Sequence, residues 1–430
     1  MRSHIRINKK NHLTIGGVDS VELVKKFGTP LYVIDEMRIR ERYKEFRDAF
    51  KNYPKVEIKY AYKANSSLAV LNILKQEGAG ADVLSAGEVY LANKINLNPD
   101  QIIFTGNNKT NAELELAVEK GIIINFDAIH ELDRLEKICK SNKKEARISF
   151  RVNPAISPRT HQHLSTGLKE SKFGIPAKEA LEAYKRAKKS KYLKISGIQM
   201  HIGSQITSSV PFELATSKLL DIVGALKEKL DLNLEFIDLG GGIGIRYNKE
   251  EPYITPQDLS NKLIPLIETK IEEYNLKRPI LYFEPGRYIL GDTSILLAQV
   301  STIKKTPYKK FIGVDAGFHV LIRPTLYNAY HEVIIANKAG KTNYEKVDIV
   351  GNVCESGDIF AKDRLLPKIE EGDIIALMDV GAYGVIMSSQ YNSRPRPAEI
   401  IVKNGEYDLI RERENFQDLI CKQRVPKRLK

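Results

Sequence analysis

Six short stretches of this sequence set reactive or charge-bearing side chains beside glycines or at the ends of apolar runs. They are Lys63 in YAYKAN, the group Asp82, Ser85 and Glu88 in ADVLSAGE, and Arg151 in RISFRV. His201 and Ser204 follow in HIGSQ, then the triple Gly240, Gly241, Gly242, then Glu284, Pro285, Gly286 and Arg287 in EPGRY. Each has a plain reading: a loop lysine, a hydrogen-bonded histidine, a turn that needs positive φ, a helix-capping acid. Taken as a set they fit one chemistry. A lysine in a dry site lowers its pKa and can form an imine with an aldehyde. Glycines let backbone N–H groups approach a phosphate. A carboxylate such as Glu284 against a pyridine nitrogen keeps it protonated, so the ring accepts the electron pair left when a bond to Cα breaks. An imidazole such as His201 can lie flat on that ring. The cofactor with an aldehyde, a pyridine and a phosphate is pyridoxal 5′-phosphate. A metal site is the weaker reading, because His161 and His163 have no acidic partner at ligand spacing.

These residues need a scaffold that brings them together, and the chain offers one. Runs at 56–62, 81–85, 102–106, 122–127, 147–152, 195–201, 235–240 and 280–284 are β-branched or aromatic-rich and barely alternate in polarity, as strands covered on both faces do. Amphipathic helical stretches separate them: 36–50, 112–120 with Asn111 as its cap, 128–140, 212–229 and 256–274. Eight strands each following a helix predict a (β/α)₈ TIM barrel; an open doubly wound sheet is the alternative, without a GxGxxG after its first strand. Barrel sites lie at the C-terminal mouth, and the residues above fall there, with the glycines and Arg287 after strands 7 and 8, where barrels often bind phosphate. Beyond Glu284 the texture is strand and loop, with a hairpin signal at the Asn-Gly of AEIIVKNGEYDLIRE. The prediction is a barrel over 36–288 and an all-β domain, sandwich- or barrel-like, made from 1–35 together with 289–430, the segments HLTIGG and PLYVID belonging to the latter.

Composition excludes more than it selects. The chain has 430 residues, 42% hydrophobic and 28% charged, which is a folded protein and, by length, two domains. No run approaches a membrane span, and the basic opening MRSHIRINKKNHLTIGG lacks the apolar core of a secretory signal. Cys139, Cys354 and Cys421 are too few and too far apart for a disulfide framework or a zinc cluster, so a cytoplasmic protein is expected. The net charge of +13 is scattered over helical stretches apart from the terminal CKQRVPKRLK, which reads as a solvated surface and no nucleic-acid site.

Read together, YAYKAN, ADVLSAGE, STGLKESKFG (165–174), HIGSQ, DLGGGIG (238–244), EPGRY, CESGD (354–358) and GAYG (381–384) resemble the fold-type III pyridoxal-phosphate-dependent decarboxylases, over essentially the whole chain and in the family's order. The resemblance implies an alanine-racemase-like barrel with a C-terminal β domain. It implies that Lys63 carries the cofactor, that His201 stacks on it and that Glu284 pairs with its pyridine nitrogen. Asp82 and Arg151 would join the cofactor-binding set. The glycine loop, Pro285 to Arg287, Ser204 and Tyr383 would surround the phosphate. Cys354 would protonate Cα after CO₂ leaves, reaching into the partner subunit of a homodimer with shared active sites. Within the family, a small amino-acid substrate whose far end is itself an amino acid needs a bidentate arginine and an acid. Arg323 and Tyr327 in LIRPTLY, Glu355, Arg287 and Tyr383 are the expected substrate contacts. Two stretches depart from the family pattern: Gly351-Asn352-Val353 stands where a proline-containing stretch is expected, and HQHLSTG has a second histidine where an aromatic is usual. A racemase of the same barrel type would need a second base and typically an arginine in place of Glu284; a non-enzymatic relative would be expected to lose Lys63 or Cys354.

Overall fold

The computed structural model describes residues 4–156 and 171–430. His161, His163 and the first six residues of STGLKESKFG lie outside them. The chain divides into two compact units: Arg40–Arg246 with Glu250–Ile289, and residues through Ile39 with Tyr247–Lys249 and Leu290–Lys430.

The first unit is a closed parallel barrel. Its strands are β1 (Val56–Ala61), β2 (Gly80–Val83), β3 (Ile102–Phe104), β4 (Ile123–Phe126), β5 (Ala146–Asn153), β6 (Leu193–Gln199), β7 (Phe236–Asp238) and β8 (Ile280–Phe283). Each pairs in parallel with its sequence neighbours, and β8 returns to β1 through Leu281 opposite Val56. The open-sheet alternative is thereby excluded. Strand residues are buried on both faces, as Ile102, Ile103 and Phe104 show, because helices cover the outside and side chains fill the inside. The helices Ala86–Lys94, Leu68–Gln76 and Ala180–Ala187 complete the ring beside those expected.

Two local expectations are corrected. The helix Asn111–Lys120 is capped by Thr110, not Asn111: the Thr110 side chain accepts from Glu113 N while Glu113 reaches back to the Thr110 backbone, a reciprocal capping box. The next helix runs over Glu131–Asn142, so the residues from 128 to 130 form the turn that enters it.

The second unit is built from sheet. The strand Leu31–Asp35 lies antiparallel to Ser294–Lys305 and parallel to Ala398–Lys403, so an early segment is knitted between late ones. The Asn404-Gly405 turn, with both φ positive, joins Ala398–Lys403 to Glu406–Arg411 as a hairpin. Alternation along Ser294–Lys305 feeds two cores: Leu296, Ala298 and Val300 pack with Ile312, Ile349 and Leu377, while Ile295 and Leu297 pack with Leu13, Val33 and Ile400.

Candidate active site

The barrel strands end in a ring of polar side chains. β1 runs into a 3₁₀ turn, Tyr62–Ala64, that carries Lys63. Its Nζ lies 3.2 Å from Oδ2 of Asp82, a fully buried carboxylate on β2. Thr105, just past β3, donates a short hydrogen bond to Oδ1 of the same carboxylate. On the neighbouring strand end, Glu284 follows β8, which pairs with β1, and is 3% exposed. Gln199 on β6 donates to both of its oxygens, at 3.2 and 3.1 Å. The Gln199 amide is itself held by Asn125 at 3.3 Å, and Asn125 by the Ser149 hydroxyl at 2.7 Å, so a chain of neutral groups braces the acid.

Burial and neighbouring charge set the protonation of this ring. Loss of solvent pushes the Glu284 carboxyl well above the usual carboxylate range; Asp238 and Asp82 add to the rise and Lys63 opposes it. Asp238, at the end of β7, is raised to about 7 chiefly by burial, and its Oδ1 accepts from Gly240 N at 2.8 Å. His201 is held well below the ordinary histidine value by burial first, then by the positive charges of Lys63 and Arg151. Its Nδ1 accepts from Gly241 N at 3.2 Å, so a neutral His201 carries its proton on Nε2. Arg151 is lowered by burial; it points its guanidinium over the Phe173 ring at 4.7 Å and donates to the His201 carbonyl at 3.5 Å.

The glycine loop after β7 leaves no room for side chains. A Cβ at Gly240 would collide with the Met200 carbonyl, at Gly241 with the Glu284 carbonyl and at Gly242 with the Gly203 carbonyl; Gly240 and Gly242 have φ of +68° and +109°. The loop is thus clamped between the segments after β6 and β8, which carry Ser204 and Arg287. Arg287 donates to the Ser204 hydroxyl at 3.3 and 3.0 Å. An amine against a carboxylate, a half-buried neutral imidazole, a braced acid, and a glycine cradle flanked by a guanidinium and a hydroxyl form the donor set that pyridoxal phosphate requires. Ser85 and Glu88 have a structural part in this rim: Ser85 accepts from Glu88 N at 3.3 Å, and the Glu88 carboxylate accepts from Leu84 N at 2.7 Å. Burial, with Asp82 nearby, raises Glu88 to about 7.

Lys63, Asp82, Arg151, His201, Ser204, Gly240 to Gly242 and Glu284 to Arg287 therefore all belong to one barrel. Arg323, Tyr327, Cys354, Glu355 and Tyr383 belong to the second unit. There the helix Arg323–Tyr327 is tied to the cysteine loop by Thr325, whose hydroxyl donates to Gly357 O at 2.9 Å. Cys354 is exposed, with Asn392 Oδ1 accepting from its backbone N–H at 3.4 Å and its thiol at 3.6 Å. Glu355 accepts from the Tyr391 hydroxyl at 2.9 Å. Tyr383 holds φ at +58°, a left-handed conformation that costs a non-glycine residue free energy. Among the described residues no group of three or more His, Cys, Asp or Glu side chains could hold a metal. Sequence reasoning gave no role to Asp238, Gln199, Asn125 or Thr105; their signal was a polar residue inside or just past an otherwise apolar strand.

Barrel, amine, acid and cradle together define a pyridoxal-phosphate-dependent decarboxylase, and the model of the pyridoxal-dependent decarboxylase, pyridoxal binding domain, matches residues 36–291. Full-length relatives narrow the class. Diaminopimelate decarboxylase of Methanothermobacter thermautotrophicus is 49% identical over 99% of this chain and 98% of its own length, and that of Archaeoglobus fulgidus 46% over 96% and 97%. The crystal structure of diaminopimelate decarboxylase from M. jannaschii in complex with L-lysine superposes with a TM-score of 0.94 at 40% identity, covering 99% of both chains. The chain belongs to the diaminopimelate decarboxylases.

Proposed function

We propose that this protein decarboxylates meso-2,6-diaminopimelate to L-lysine and CO₂, the last step of lysine biosynthesis. The observation that carries the reading is the extent of the match: it runs through the second unit, where Arg323, Tyr327 and Glu355 lie, and not the barrel alone.

Pyridoxal phosphate, when bound, supplies an aldehyde for amines and a protonated ring that takes up the electron pair left by a breaking bond at Cα. The chain does the rest. Lys63 presents its amine to the aldehyde, oriented by Asp82. Gly240 to Gly242, Ser204 and Arg287 hold the phosphate. Glu284, its carboxyl raised by burial and braced by Gln199, holds the proton at the ring nitrogen. His201, kept neutral, covers the ring face without adding charge. Arg323 pairs with the substrate's far carboxylate, Glu355 with its far ammonium, and Tyr327 and Tyr383 line the same end. The Cα–carboxylate bond breaks, CO₂ departs, and the Cys354 thiol of the partner subunit delivers its proton to Cα. The active unit in this reading is a homodimer with shared sites, working in the cytoplasm; among the described residues no helix is long and apolar enough to cross a membrane.

The test is CO₂ release by purified protein from meso-diaminopimelate, lysine, ornithine and arginine side by side. Release from diaminopimelate at least about 100-fold above the others is expected, a difference of about 2.7 kcal/mol in transition-state binding. Preference for ornithine or lysine overturns the substrate. Lys63→Ala should abolish the visible absorbance of the cofactor-loaded protein; a band that survives overturns the assignment of Lys63.

A further inference from the structure

Arg323 begins a five-residue helix and is 3% exposed, so its orientation is set by what packs on it. Its Nη1 lies 2.9 Å from Nε2 of His331, a residue with 0% exposure. The other ring nitrogen, Nδ1, lies 2.7 Å from the Met378 carbonyl. A carbonyl only accepts and a guanidinium only donates, so His331 carries its proton on Nδ1 and offers the Nε2 lone pair to Arg323. The Tyr247 ring lies under the guanidinium at 4.8 Å and meets the His331 ring edge-on at 5.6 Å.

The imidazole is fixed by main chain rather than by a flexible contact. Strand Val333–Ile335 pairs with Ile374–Leu377, Val333 opposite Leu377, and the ladder continues as Met378 N donates to Glu332 O at 2.9 Å. That register places His331 beside the Met378 carbonyl. Arg364 adds a hydrogen bond to the His331 carbonyl at 3.3 Å. A neutral imidazole orients a guanidinium without cancelling its charge. A carboxylate in the same place would cancel it and compete with any incoming anion.

We propose that His331 is a specificity-positioning residue: seated on the Met378 carbonyl and packed with Tyr247, it aims the charged Arg323 at the far carboxylate of the substrate. The proposal rests on the reading of Arg323 given above. Its test uses the cofactor-loaded enzyme and the variants His331→Ala, His331→Gln, His331→Glu and Arg323→Ala. L-Lysine retains the far carboxylate and 1,5-diaminopentane lacks it, so their affinities, measured by calorimetry, report the contact without turnover. In His331→Ala the KM for diaminopimelate and the Kd for L-lysine should rise about tenfold or more, the loss of one hydrogen bond to a charged group. The affinity for 1,5-diaminopentane, kcat and the visible band should stay near wild type, while the melting temperature falls by the several degrees that loss of a buried, hydrogen-bonded side chain costs. Glutamine, which keeps a neutral acceptor, should restore most of the lost affinity, whereas glutamate should lower it further.

If the alanine variant does not fold, the glutamine–glutamate comparison decides, and equal L-lysine affinities in those two overturn the proposal. An unchanged KM in His331→Ala beside a raised one in Arg323→Ala overturns the proposal and leaves the reading of Arg323 standing. Unchanged values in both overturn the two together. A fall in kcat, cofactor band and melting temperature without a change in L-lysine affinity marks His331 as structural only and overturns it as well.

Discussion

Asp238 and Glu284 are two carboxyls buried in the barrel, close enough that each feels the other's charge, and Asp238 receives Gly240 N at 2.8 Å on its Oδ1. Burial strips solvent from both, so the pair holds on to protons that the unfolded chain would release in the ordinary carboxylate range. The sign of the linkage follows. Between that range and about 7, the folded state of the cofactor-free protein binds more protons than the unfolded one, so this pair's contribution to stability is full at low pH and is lost as pH rises through the window. His201 works in the opposite sense, since its depressed value costs stability as pH falls below the ordinary histidine range. Comparison with Asp238→Asn cancels the histidine and isolates the acids. Asparagine keeps an acceptor for Gly240 N and gives up the titration. Melting temperatures of cofactor-free wild type and Asp238→Asn, measured from pH 4 to 8, should therefore diverge, the variant gaining on wild type by several degrees toward the upper end. Parallel curves would mean that Asp238 carries no displaced titration.

At the scale of elements, the loop that presents Cys354 and Glu355 is held by the Asp358 side chain besides the ties from Thr325, Asn392 and Arg394. The carboxylate of Asp358 accepts from Val353 N and from Phe318 N, each at 2.7 Å, and the Asp358 carbonyl accepts from Gly351 N at 2.9 Å. Gly351 is needed because a Cβ there would run into that carboxylate. Asp358→Ala leaves two backbone donors without their acceptor, a destabilisation of about 1–3 kcal/mol for each. It should also lower kcat by about tenfold or more through displacement of Cys354, with the cofactor's visible band intact. Asp358→Asn, which keeps one acceptor oxygen, should lie between. Steady-state rates and thermal melts on the three proteins check this, and an unchanged kcat in the alanine variant would detach Asp358 from the chemistry. Loops of this kind explain what the sequence could and could not disclose. The eight barrel strands are legible because apolar residues face both ways, and the glycine loop because three glycines in a row have few other uses. Thr110 was missed as a cap because Asn111, one residue on, is an equally good capping type, and only the reciprocal bond to Glu113 separates them. Gln199 and Asn125 are polar positions in apolar strands, and only the closed barrel shows their use, Asn125 holding Gln199 and Gln199 donating to Glu284. The seat of Arg323 depends on which strand pairs with Val333–Ile335, a fact of register that local sequence does not carry.

For the whole molecule, the candidate residues divide between two units, and the residue proposed to protonate Cα is exposed: Cys354 lies on the surface of the chain, beside Asn392. In the proposed homodimer a second chain would cover this thiol, and two-fold symmetry would give each site the other subunit's cysteine. This arrangement has a consequence that no single-chain arrangement shares. Lys63→Ala and Cys354→Ala proteins are each expected to be close to inactive. Mixed in equal amounts and allowed to exchange subunits, half of the dimers become hybrids. Each hybrid has one site with both changes and one with the Lys63 of one chain and the Cys354 of the other, so the mixture should recover about a quarter of wild-type activity. If the cysteine serves the lysine of its own chain, every site in every dimer lacks one of the two groups. Activity then stays at the residual level however long the chains exchange. The measurement is CO₂ release against mixing time, with subunit exchange followed independently by mass-labelled chains; complete exchange without recovery of activity removes the shared site.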